Sequence, residues 1–190
     1  MYKIIKRNRR SFSITVDAKG SVTVYAPLYS TDTEIKRVIR DKSRWIDKKV
    51  NEMLKRNADN ADILSGEARY IFGEKVFNSD KSDYKKISEE YLKNRIEQLS
   101  AETGLVYSSL KFKNYRRRWG CCDSKGNIIL NYKTISLEKS VIDFVILHEL
   151  CHTAYMNHGK NFHKLLRGFT GNEKEFNKYL KNMAFLLEID

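Results

Sequence analysis

The sequence predicts an α+β protein, with strands and helices segregated along the chain and not strictly alternating. Three observations carry that expectation. Two stretches near the N-terminus alternate with period two. Longer stretches repeat apolar residues at helical spacing. A mostly apolar segment, Val141 to Leu147, runs directly into His148-Glu149-Leu150-Cys151-His152. The expected architecture is N-terminal β-hairpins and a mixed sheet, together with a helix that carries this H-E-x-x-H pattern.

Residues 11–16 and 21–25 alternate around Asp17-Ala18-Lys19-Gly20, and Gly20 can supply the positive φ of a tight hairpin. The only proline, Pro27, ends the second strand. Thr31 and Glu34 have capping-box spacing and start one long predicted helix. Its stripe is Ile35, Val38, Ile39, Ile46, Val50, Met53 and Leu54. Residues 57–67 are rich in Asn, Asp, Ser and Gly and read as a loop. They divide the chain into a basic hairpin-and-helix subdomain over 1–60 and a core over 61–190. Residues 70–77 suggest a second hairpin turning at Gly73-Glu74, and a helix should run from 83 to 103, stopped by Gly104. Beyond it the pattern predicts a strand over 110–115, a loop over 116–126 and a strand over 127–134. Helices follow over 137–154 and 173–187.

Composition narrows the setting. The 190 residues are 41% hydrophobic and 32% charged, as in ordinary soluble proteins. The basic N-terminus has no apolar run behind it, so no signal peptide is expected. Asp143 interrupts the most apolar stretch, so no transmembrane helix is expected either. Cys121 and Cys122 are adjacent and Cys151 stands alone, which gives no disulfide framework and suits a reducing cytoplasm. The net charge is +12, and residues 1–60 hold 15 basic against 7 acidic side chains. Lys111, Lys113, Arg116, Arg117 and Arg118 form a second cluster. Such a field suits polyanions, so weak nucleic-acid association is an expectation. Solvated helix faces are the plainer reading of the same charge.

The histidines carry the chemistry. On a helix, His148 and His152 are four apart and share one face, while Glu149 stands beside them. All four histidines of the chain fall between 148 and 163, and metal binding is the commonest reason to gather them. A catalytic zinc takes three protein ligands and leaves a fourth position to water. Three residues compete to be the third ligand. His158 lies six after His152 in a turn with Asn157 and Gly159, His163 begins another helix, and Glu173 follows 21 residues after His152. The short connection and the turn residues favour His158. Glu149 is then the general base and zinc-bound water the nucleophile of peptide hydrolysis. Tyr155, Arg118 and His163 are candidates to stabilise the oxyanion. A structural zinc in a basic, nucleic-acid-associated protein is the alternative, but such a site has no use for Glu149. Cys151 reads as core packing, and Arg118-Trp119-Gly120 as a packed loop or a cleft wall. Residues 127–134 read as an edge strand for an extended peptide.

Several segments together resemble the YgjP-like metallopeptidases, relatives of the SprT-like zincins. They are Arg118 to Cys122, Lys125 to Tyr132, Val141 to His152, and Asn157-His158-Gly159, with Lys42 to Ile46 also fitting. The resemblance implies a zincin-like fold, three His ligands and a catalytic Glu, with His158 matching the third histidine. Cys121 stands where the family usually has Ser, and His163 where it usually has Trp. The proline usual near the start of the metal helix is absent around Ser136-Leu137.

Overall fold

Alternation near the N-terminus builds the first sheet, in a computed structural model that describes residues 2–77 and 80–189. Tyr2–Arg7 forms β1, which the sequence pattern hid because Ile4-Ile5 and Lys6-Arg7 pair like with like. Ser13–Val16 (β2) and Val22–Pro27 (β3) are the expected hairpin. Its turn is closed by the Asp17 carboxylate, which accepts from the amides of Lys19 (2.9 Å) and Ser21 (2.8 Å), with Gly20 at φ 80°. The order is β1-β3-β2, with β1 parallel to β3.

One face of β3, Val24 and Ala26, packs on Ile35 of α1, Asp32–Asp41. The capping box forms as read. The Thr31 hydroxyl accepts from the Glu34 amide, and the Glu34 carboxylate accepts from the Thr31 amide at 2.8 Å. The expected single helix divides at Lys42, and α2 spans Ser43–Asp59. Residues 40–44 supply no apolar side chain, so nothing anchors that turn to the core. The stretch expected as loop is largely helical, since α2 runs to Asp59 and a short α3 occupies Ala61–Ser65. The chain divides into two compact units, Met1–Leu64 and Ser65–Asp190.

The second unit opens with a hairpin, Ala68–Ile71 (β4) and Glu74–Phe77 (β5). Its turn is Phe72-Gly73, one residue before the expected Gly73-Glu74, with both residues left-handed (φ 53° and 85°), as a two-residue hairpin turn requires. The hairpin tip docks on the chain after the second sheet, with the Phe72 amide donating to the Ile135 carbonyl at 2.8 Å. Helix α4 spans Lys81–Thr103 and stops at left-handed Gly104. Ser109–Lys113 (β6), Gly120–Cys122 (β7) and Asn127–Asn131 (β8) form a sheet of order β6-β8-β7.

Two expectations change here. Strand β7 lies inside the predicted loop, too short to show a pattern. The strand predicted over 127–134 ends at Asn131, becomes a 3-10 helix over Tyr132–Ser136, and is central and not an edge. Asn131 forces the change. It is fully buried, its amide group donates to the carbonyls of Tyr115 (2.8 Å) and Arg118 (3.1 Å), and its carbonyl accepts from the Lys133 amide. Helices α5 (Lys139–Ala154), α6 (Lys160–Thr170) and α7 (Glu173–Met183) follow, then a 3-10 turn over Ala184–Leu187. Ile142, Ile146 and Leu150 of α5 are fully buried, as are Ile128 and Leu130 of β8. Arg95 of α4 grips Asp143 of α5 through two hydrogen bonds of 2.7 and 2.8 Å. Among the described residues, no helix is long and apolar enough to cross a membrane.

Candidate metal centre

His148 and His152 project from one side of α5, and His158 reaches them from the connection to α6. The three side chains each offer a ligand atom, and these atoms all lie within 4.8 Å of one another. The Nε2 atoms of His148 and His158 are 3.0 Å apart. Tetrahedral zinc ligands at their usual bond lengths sit about 3.3 Å from each other, so the spacing fits one small cation. His152 Nδ1–H donates to the Tyr155 carbonyl at 3.1 Å, which leaves Nε2 with its lone pair. Burial and the neighbouring imidazoles push His148 down to about 3, and burial also lowers His152. Both rings are therefore neutral at physiological pH, the form that binds metal. Phe162 is fully buried and forms the floor, its ring centroid 4.6–5.0 Å from all three histidines.

The Glu149 side chain packs against Gly120 of β7. It is buried, and the reason it fits is Gly120: a Cβ there would lie 2.9 Å from Glu149 Cγ and 3.0 Å from Oε1. Burial pushes the Glu149 carboxyl up to about 7, against a lowering pull from Arg118. A cation among the histidines would favour the charged carboxylate, since a bound ion dominates local electrostatics. Cys122 lies on the same strand face as Gly120, and burial together with Glu149 raises its thiol to about 11. The preceding loop is held by Asn131 and by the Thr134 hydroxyl, which donates to the Trp119 carbonyl. Trp119 is buried, as the packed-loop reading has it. Arg118 is exposed, its guanidinium 5.3 Å from the Tyr115 ring.

The two rival ligands are engaged with each other. His163 Nδ1 lies 2.8 Å from Glu173 Oε2, and neither belongs to the three-histidine group. Tyr155 is half-exposed at the end of α5, and Cys151 is wholly buried. Because β8 is central, the edge beside Glu149 belongs to β7. The roles of Phe162, Gly120 and Asn131 were not read from the sequence, although Gly120 was singled out with Arg118 and Trp119 and Asn131 lies in one of the segments that carry the resemblance.

A family model described as "YgjP-like, metallopeptidase domain" matches residues 10–79 and 78–183. No curated protein matches the sequence. Among solved structures, the chain is similar to the metallopeptidase zymogen of Pyrococcus abyssi abylysin, with 17% identity and a TM-score of 0.43, covering 48% of this chain and 94% of that one. It is also similar to the metallopeptidase zymogen of Methanocaldococcus jannaschii jannalysin, with 21% identity and a TM-score of 0.42, covering 50% and 96%.

Proposed function

The chain belongs to the YgjP-like metallopeptidase family, and on that premise we propose that it is a zincin-like, zinc-dependent peptidase of the H-E-x-x-H type, acting in the cytoplasm. The observation that carries this reading is the meeting of three imidazoles, two of them on the same helix as the buried Glu149. The donor set fits zinc, because three nitrogen ligands leave one position open and a structural site would use four.

His148, His152 and His158 would hold the ion, which would supply Lewis acidity toward a water molecule and the scissile carbonyl. Glu149 takes the proton from the attacking water and returns it to the leaving amine. Gly120 leaves the space that lets its carboxylate stand there. The free edge of β7 offers backbone donors and acceptors to an extended peptide. Arg118, Tyr155 and His163 are the candidates to meet charge that develops on the substrate oxygen; of these, His163 has Glu173 Oε2 2.8 Å from its Nδ1.

The test pairs metal analysis with hydrolysis of casein. Wild type should carry about one zinc per chain. His158→Ala should lose it and His163→Ala should keep it. Glu149→Gln should keep zinc and fold but hydrolyse about 100-fold more slowly or worse. Loss of zinc from Glu149→Gln would make that residue a ligand, and full activity would assign the base elsewhere.

A further inference from the structure

The sheet of the N-terminal unit has one face on its helices and one face outward. Strand β3 sorts the two, with Val22, Val24 and Ala26 buried and Thr23, Tyr25 and Pro27 on the other side. The register places Lys3 beside Thr23, Ile5 beside Tyr25 and Arg7 beside Pro27, with Ser13 and Thr15 of β2 across from Tyr25 and Thr23. No position on this outer face is acidic. At its centre the Tyr25 ring carries two guanidinium groups, Arg7 at 5.2 Å and Arg9 at 5.9 Å from the centroid. Among the described residues no carboxylate pairs with Lys3, Arg7 or Arg9; the nearest basic residue that has one, Lys6 with Asp32, points to the opposite face.

An exposed arginine usually finds a carboxylate or trails into water. Two guanidinium groups over one ring on the central strand make a cationic platform instead. We propose that this sheet face binds single-stranded nucleic acid, stacking unpaired bases on the Tyr25–arginine platform and holding phosphates with Lys3, Arg7 and Arg9. Bases can stack on a side chain only when they are unpaired, and the face of a three-stranded sheet presents no helix or isolated ribbon to enter a duplex groove. The hydroxyls of Ser13, Thr15 and Thr23 add hydrogen-bonding groups beside the platform. An acidic peptide would use the charges but leave the aromatic surface idle. The site is separate from the histidine cluster and does not depend on the peptidase reading.

Fluorescence anisotropy of the full chain tests it with a labelled deoxythymidine oligomer, a duplex of equal length and polyglutamate. The single strand should bind at least 10-fold more tightly than either competitor. Three phosphate contacts predict a slope of about −2 for log affinity against log salt. Tyr25→Leu should weaken binding about 5-fold or more with the slope unchanged. The Arg7→Gln/Arg9→Gln pair should flatten the slope by about 1.4. Casein hydrolysis and circular dichroism should not move in either variant. Should Tyr25→Leu disturb the fold, the arginine pair, both outside the core, still reads the site. Absence of binding at about 50 mM salt overturns the proposal. So do duplex or polyglutamate binding as tight as the single strand, and a folded Tyr25→Leu that binds like wild type.

Discussion

Glu149 and Gly120 are 29 positions apart in sequence and in contact in the fold, so the carboxylate has room only because residue 120 lacks a side chain. Gly120→Ala should therefore displace the carboxylate while leaving the three imidazoles alone. Hydrolysis should fall by about 10- to 100-fold, the scale expected when a catalytic group moves by about 1 Å. Zinc content should stay at the wild-type level, and unchanged turnover would show that Glu149 adjusts freely. Phe162→Ala should cost about 3–5 kcal/mol in urea unfolding, since it empties a fully buried ring site beneath the histidines. Phe162→Leu should cost much less. The histidines were legible in the sequence because helical spacing alone brings His148 and His152 to one face. Phe162 and Gly120 were not, because each acts through neighbours that only the tertiary structure supplies. His163 and Glu173 were visible as polar residues in range, yet their engagement with each other could not be read from spacing.

Elements with strong local rules came through best. The capping box at Thr31, the Gly104 stop and both hairpins follow from residue chemistry within a few positions. The break at Lys42, strand β7 and the 3-10 helix after Asn131 depend on contacts from elsewhere and left no periodic trace. That 3-10 helix is tied to α4 by Tyr84, whose hydroxyl lies 2.6 Å from Ser136 Oγ, and by Ser88, which donates to the Tyr132 carbonyl. Burial pushes the Tyr84 phenol up to about 12, with the Ser136 hydrogen bond pulling the other way. The folded state thus holds this proton more tightly than the unfolded chain does. Its contribution is whole below pH 10 and is lost as pH rises through about 12. The loss should be roughly 2–3 kcal/mol. Tyr84→Phe should remove this component of alkaline destabilisation, and an identical alkaline limb in the variant would place the titrating group elsewhere. Gly73→Ala should also destabilise, because its φ is 85° and the new Cβ would lie 2.7 Å from Glu138 Cγ.

At the scale of the molecule, metal and fold should be linked, because the ligands come from both ends of the α5–α6 connection. Free zinc at 100 times its dissociation constant should add about 2.7 kcal/mol to stability. For a chain of this size that is a rise of about 5–10 °C in Tm, abolished by His158→Ala and reversed by chelation. Scanning calorimetry checks it, and an unshifted Tm would mean that the histidines do not hold the ion in solution. Where two transitions separate, only that of the Ser65–Asp190 unit should move. The mixed α+β class was legible because strands and helices carry different periods, and the site because its residues cluster on one helix and the turn after it. Helix α5 is buried along nearly its whole length, Glu149 and His152 included. Its backbone amides should then trade hydrogen for deuterium only when the unit unfolds globally. The amides of Tyr155 to Gly159, on an exposed connection, should exchange far sooner, so that one isotope time course would separate a stationary helix bearing two of the histidines from the loop that brings the third.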